Sequence, residues 1–212
     1  MKSSCICVYG ETCAGKSTIG KYLSSLLDCQ YISFGDLKRD EIARGTGLGL
    51  EIKRLLESRC PLPAELGYAV IRDSIADGLN IISGYPISTD EFKTLSDCSS
   101  VIGILVLGID ESTLIQRFGL RRECPKCHMP GVVGEVCPTH RTAMIQREDM
   151  NLEELVSRRK LYRERILPFL ESRYILALPR LLLDTNALTK DNAVHLAERW
   201  IRGLPTENGG TT

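Results

Sequence analysis

Gly10 to Ser17 read G-E-T-C-A-G-K-S, which fits the phosphate-loop pattern G-x-x-x-x-G-K-S/T without a mismatch. This short run constrains the chain more than any other feature, because its chemistry needs a strand before it and a helix after it. Gly10 and Gly15 let the backbone curl, so that the N–H groups of Glu11, Thr12, Cys13 and Ala14 turn toward phosphate oxygens. A helix beginning at Lys16 adds its positive dipole end. Lys16 reaches the β- and γ-phosphates, and Ser17 offers its hydroxyl to Mg²⁺. The nucleotide-binding set therefore runs from Gly10 through Thr18. The loop implies a bound nucleotide without saying what is done with it.

The flanking residues supply the required context. Ser4 to Tyr9 is apolar and β-prone, and Ile19, Tyr22, Leu23, Leu26 and Leu27 recur at helical spacing after the loop. Further strands are expected at Tyr31–Ser33, Leu79–Ser83, Val101–Leu107 and Leu181–Asp184. Helices are expected at Asp36–Arg44, Glu51–Ser58, Ala64–Asp77 and Asp110–Arg122, with breaks at Gly45, Gly47, Gly49, Pro61 and Pro63. Asn151–Tyr174 reads as one long basic helix that can kink at Pro168, and Val194, Ala197 and Ile201 turn a last helix inward. Strands alternating with helices imply an α/β fold: a five-stranded parallel sheet with helices on both faces.

The longest apolar run, Val101 to Ile109, is the length of a buried strand and too short to span a bilayer. The N-terminus leaves no room for a signal peptide before the loop. With 212 residues, one domain with a small insert is expected, and residues 204–212 read as a disordered tail. Lys+Arg and Asp+Glu are equal at 27 each, so no global charge recruits nucleic acid or an anionic membrane. A cytoplasmic protein with reduced thiols is expected, despite nine cysteines.

Residues 123–147 lose periodicity and gather Cys, Pro, Gly and His. Cys124-Pro-Lys-Cys127 and Cys137-Pro-Thr-His140 form CxxC and CxxH knuckles, the spacing of a closed tetrahedral Zn²⁺ site. So short an insert cannot bury a core of its own, and a metal would staple it. His128 is a less favoured substitute ligand.

Beyond the loop, the order of motifs resembles the adenylate kinase family of nucleoside monophosphate kinases. Ser33-Phe34-Gly35-Asp36-Leu37-Lys38-Arg39 looks like the family's S-T-G-D-x-L-R, and Gly45-Thr46-Gly47-Leu48-Gly49 like its G-T-x-L-G turn. Gly84-Tyr85-Pro86 stands where the family has D-G-F-P-R. Arg117 followed by Arg121-Arg122 is similar to R-x-x-G-R-R, Arg147 to the lid-closing arginine, and Arg158, four before Tyr162, to R-L-x-x-Y. The resemblance covers about Ser4 to Trp200. It implies a 1–203 kinase core, with 34–77 as acceptor-binding subdomain and 123–147 as zinc-bound lid. It also implies γ-phosphoryl transfer from ATP, with Mg²⁺, to a nucleoside monophosphate, by a protein that is often monomeric. Arg117 would stack on the donor adenine, while Lys16, Arg121, Arg147 and Arg158 surround the transferring group. Phe34, Arg39, Gly84, Tyr85, Ile87 and Glu91 would form the acceptor site. Phosphoryl transfer develops charge on the equatorial oxygens, and fixed guanidinium groups suit that charge.

The departures from the pattern lie on the acceptor side. Ser83 replaces an aspartate, Ile87 an arginine that clamps the acceptor phosphate, Glu91 the glutamine that reads adenine, and Phe34 a small hydroxyl residue. A carboxylate cannot supply both the donor and the acceptor of an amide. AMP should therefore be a poor acceptor, with Lys38 or Arg44 as the nearby cations able to stand in for the clamp. Two other readings compete: a kinase on this fold with a non-nucleotide acceptor, and a regulatory or nucleic-acid-binding protein that uses the knuckles for contact. Neutral net charge weighs against the last.

Overall fold

The structure is a computed structural model that describes residues 3–58, 60–146 and 151–205; Arg147 and the tail from residue 206 lie outside the described residues. In chain order, β1 (Ser4–Gly10) leads through the loop to α1 (Lys16–Leu27) and β2 (Gln30–Ser33). Then come α2 (Phe34–Arg44), α3 (Gly47–Glu57), α4 (Ala64–Ile71), β3 (Leu79–Ser83), α5 (Thr89–Cys98), β4 (Ser100–Gly108) and α6 (Glu111–Leu120). The insert holds β5 (Arg121–Glu123) and β6 (Pro130–Val132). The chain returns through α7 (Leu152–Leu161), α8 (Leu167–Leu170), α9 (Arg173–Leu176), β7 (Arg180–Asp184) and α10 (Lys190–Arg202).

The sheet runs β2-β3-β1-β4-β7, with every pairing parallel. Alternate residues of β1 enter two separate cores, because a central strand is buried on both faces. Cys5, Cys7 and Tyr9 pack with Ile52, Ile71, Leu95 and Phe169 on one face. Ile6 and Val8 pack with Ile19, Leu23, Val194, Ala197 and Ile201 on the other. Each such aliphatic side chain contributes about 1.5–3 kcal/mol on burial. Leu204, expected in the tail, is buried in the second core. In open α/β sheets ligands bind beyond the carboxyl ends of the strands. Gly10, Phe34, Gly84 and Thr185 sit there, at the ends of β1, β2, β3 and β7. Among the described residues, no helix is long and apolar enough to cross a membrane.

Several boundaries differ from expectation, each for a local reason. α3 starts at Gly47, not after Gly49, because the Thr46 hydroxyl accepts from Gly49 N–H at 2.9 Å and caps the helix. A Cβ on Gly49 would lie 2.0 Å from the Glu41 carbonyl oxygen, so this glycine lets α3 cross close against α2. α4 stops at Ile71, short of Asp77, and one 3₁₀ turn follows. The buried Asn80 side chain instead takes up the backbone groups at Ala76 and Gly78. α6 ends at Leu120, so Arg121 and Arg122 belong to β5, where they pair with Val132 and Gly131. The long basic helix passes through a π turn at Tyr162–Ile166 just before Pro168, with Leu167 N–H bonded to Tyr162 O, and stops at Leu170, short of Tyr174. Proline lacks the N–H that would continue the regular ladder. Tyr22 and Leu26 face solvent, and α1 buries Ile19, Gly20 and Leu23. α5 has no counterpart among the expected helices.

Candidate functional site: a cationic cleft beside a cysteine-rich insert

Gly10 takes φ 151°, and a Cβ there would stand 2.6 Å from the Leu107 carbonyl oxygen of β4. Only glycine fits where the loop leaves the sheet. The loop then curls back on Lys16, whose Nζ donates to Gly10 O at 2.7 Å and Glu11 O at 2.8 Å. Burial, then the neighbouring Arg121, push the Lys16 ammonium down to about 8; Arg158 adds to this, while Cys13 and Glu11 oppose it. Three cations from the loop, β5 and α7 thus converge, and an anion placed among them relieves their repulsion.

Arg117, in the last turn of α6, is held at the rim. Its Nη2 donates to Thr185 O at 2.6 Å and its Nη1 to Thr185 Oγ1 at 3.2 Å; Thr185 is itself fixed by donating to Gly108 O at 2.8 Å. Arg158 Nε donates to Glu154 Oε1 at 2.7 Å, an i,i+4 pair on the cleft side of α7. One cleft is lined by Gly10 through Thr18 together with Phe34, Arg39, Gly84, Ile87, Glu91, Arg117, Arg121 and Arg158. Tyr85 does not join them: it is fully buried under the floor, 5.1 Å centroid to centroid from Phe34. Arg147 lies outside the described residues.

On the wall built from α2 and α5, Ser33 caps α2 by accepting from Asp36 N–H at 3.4 Å, and Arg39 pairs with Asp36. Ser88 caps α5 in the same way through Glu91 N–H at 3.3 Å. Glu91 is only 3% exposed, and its Oε2 accepts from Ile87 N–H at 2.6 Å. Burial pushes its carboxyl up, and the Ile87 amide, Arg165 and Lys38 pull it back. Lys38 Nζ lies 4.7 Å from the Phe34 ring centroid. Burial pushes its ammonium down, Arg39 and Arg158 push the same way, and Glu91 and Glu154 oppose them. Arg44 instead pairs with Glu41, has a side chain 63% exposed and does not line the cleft. Of the two nearby cations, Lys38 is therefore the one within reach of Glu91. Sequence reasoning overlooked Arg165, although Arg158, Tyr162 and Arg165 share one helical face at i, i+4 and i+7.

The insert brings Cys124, Cys127, Cys137 and His140 together, with all four ligand atoms within 4.8 Å of one another. Cys127 Sγ to Cys137 Sγ is 3.8 Å, and His140 Nδ1 is 3.6 Å from both Cys124 Sγ and Cys137 Sγ. A tetrahedral ion with Zn–S of about 2.3 Å and Zn–N of about 2.0–2.1 Å needs edges of about 3.8 and 3.6 Å. The donor set fits zinc. Burial alone pushes the Cys124 thiol up, but the amides of Lys126 and Cys127 and the Thr142 hydroxyl outweigh it and bring the thiol down to about 5. His128 is not a ligand here. Its ring nitrogens lie 3.2 Å from Glu123 Oε1 and from Asp40 Oδ1, and Lys21 Nζ donates to the carbonyls of Cys127 and His128. The knuckle is thereby docked on α1 and α2. Elemental analysis is expected to give one Zn²⁺ per chain. Cys127→Ser should lose it and lower Tm, by about 2–4 °C for each kcal/mol lost. Zinc-free protein prepared without chelator would contradict this.

No family model matches the sequence. Curated relatives match over most of its length. An adenylate kinase of Pseudothermotoga lettingae is 31% identical over 184 residues, covering 78% of this chain and 84% of that protein. An adenylate kinase of Borrelia turicatae is 31% identical over 173 residues, covering 76% and 82%. One of Chlamydia muridarum is 28% identical over 210 residues, covering 86% and 81%.

Proposed function

The chain belongs to the adenylate kinase family and is an ATP-dependent nucleoside monophosphate kinase; we propose that its preferred acceptor is a nucleoside monophosphate other than AMP. The observation that carries this reading is the pair Ile87 and Glu91 on the acceptor wall. Glu91 is buried with one oxygen bonded to the Ile87 amide. Its carboxylate accepts but does not donate, which suits a base edge that offers N–H groups, as guanine does, over the mixed edge of adenine. Lys38 takes the place of the missing guanidinium as the cation for the acceptor phosphate, supported by its position between Phe34, Glu91 and Arg158.

The remaining roles follow from charge and place. Lys16, Arg121 and Arg158 neutralise the transferring phosphoryl group, with Arg147 as the fourth cation. Arg117 offers its guanidinium face to the donor base. Ser17 would hold Mg²⁺, which supplies charge at the β- and γ-phosphate oxygens when bound. Residues 34–77 form the acceptor-binding subdomain and 123–147 the lid. Cys124, Cys127, Cys137 and His140 would hold zinc as a staple with no open position for chemistry. The test is an acceptor panel assayed with ATP and Mg²⁺ by ADP release, in which AMP is not the best acceptor.

A further inference from the structure

The phosphate loop carries a charge of the wrong sign. Glu11 is its first variable residue, and a bare carboxylate there repels the triphosphate. It is not bare: Arg159 Nε donates to Glu11 Oε2 at 3.1 Å, with the two side chains only 15% and 16% exposed. The Nη1 of the same guanidinium donates to Glu111 Oε1. Glu111 opens the first turn of α6 and Arg159 lies in the last turn of α7, the helices that enter and leave the insert. Arg158 faces the cleft; Arg159, one residue on and about 100° around the helix, does not line it. Its action on a nucleotide therefore passes through Glu11.

We propose that Arg159 is a positioning residue: it masks the carboxylate of the phosphate loop so that the loop presents net positive charge to ATP, and through Glu111 it ties the loop to both helices flanking the lid. This rests on the loop taking ATP and is independent of the acceptor. A charge-masking role and a purely mechanical tie differ in sign. With the carboxylate removed, masking is no longer needed; a mechanical tie is broken by the same change.

The experiment is calorimetric titration of the full chain with Mg·ATP and no acceptor. Arg159→Gln should weaken binding about tenfold. Glu11→Gln in that background should recover more than half of the loss on a logarithmic scale. Glu11→Gln alone should tighten binding at least twofold and steepen its dependence on salt, because the loop then loses its one negative charge while Lys16 stays in place. That single variant reads the proposal even if Arg159→Gln does not fold. The proposal is overturned if Glu11→Gln weakens binding, if Arg159→Gln binds within twofold of wild type, or if the double variant is as weak as Arg159→Gln. Absence of Mg·ATP binding by the wild type would overturn it together with the ATP assignment, whereas an unexpected best acceptor would leave it standing.

Discussion

Lys16→Ala and Arg121→Ala should each lower kcat by about 10²–10³, the loss that follows removal of one preorganised group from a developing charge. Neither change should unfold the protein. Lys16 carries a penalty in the folded state, because burial and Arg121 hold its ammonium near 8, against its ordinary 10.5. A lysine lowered in this way binds fewer protons folded than unfolded between pH 8 and 10.5, so its penalty is fully present below about pH 8 and is relieved as pH rises through that window. At pH 7, removing the ammonium therefore removes a cost, and the thermal transition of Lys16→Ala should not fall. Steady-state kinetics beside a melting curve decide the matter. Near-normal kcat in either variant, with every acceptor that works, would end the assignment of these residues to the transferring group.

Ile87→Arg combined with Glu91→Gln should raise kcat/KM for AMP by about tenfold to a hundredfold while changing KM for ATP less than twofold. A charge-assisted hydrogen bond to phosphate is worth about 1.5–3 kcal/mol, and each 1.4 kcal/mol is about tenfold. A glutamine at position 91 keeps a carbonyl oxygen for the Ile87 amide, now bonded at 2.6 Å, and frees an NH₂ donor for the base. Each single change should gain less, because clamp and base reader act on one bound molecule. Equal shifts in the ATP and AMP constants would mean that the two positions act on the fold of the cleft and not on the acceptor.

The features legible in the sequence were those whose chemistry fixes residue type and spacing together. The loop from Gly10 to Ser17, the knuckles of Cys124, Cys127, Cys137 and His140, and the continuous apolar runs of β1 and β4 were of this kind, and the parallel sheet follows from them. α5 was missed because its inward face holds Glu91 beside Leu95, and a buried acid erases the apolar period by which a helix is recognised. Arg159 and Arg165 read as ordinary charges on an exposed helix, and the pattern does not choose between Lys38 and Arg44. Only the packing of α2, α7 and the π turn after it around the sheet decides which of these charges turn inward. The Arg121 boundary escapes the pattern for a related reason: a strand of three residues has too little pattern of its own, and Arg121 pairs with Val132 only across the turn to β6.

The acceptor panel, read as kcat/KM for each nucleoside monophosphate with saturating ATP and Mg²⁺, tests the central claim most directly. The expected result is turnover with at least one nucleoside monophosphate whose base offers N–H donors to Glu91, and with AMP at least tenfold below it. Efficient turnover of AMP as the best acceptor, at about 10⁶ M⁻¹s⁻¹ or more, would contradict the claim. Glu91 would then be acting as a neutral acid, with an O–H and a carbonyl oxygen that reproduce the amide it replaces.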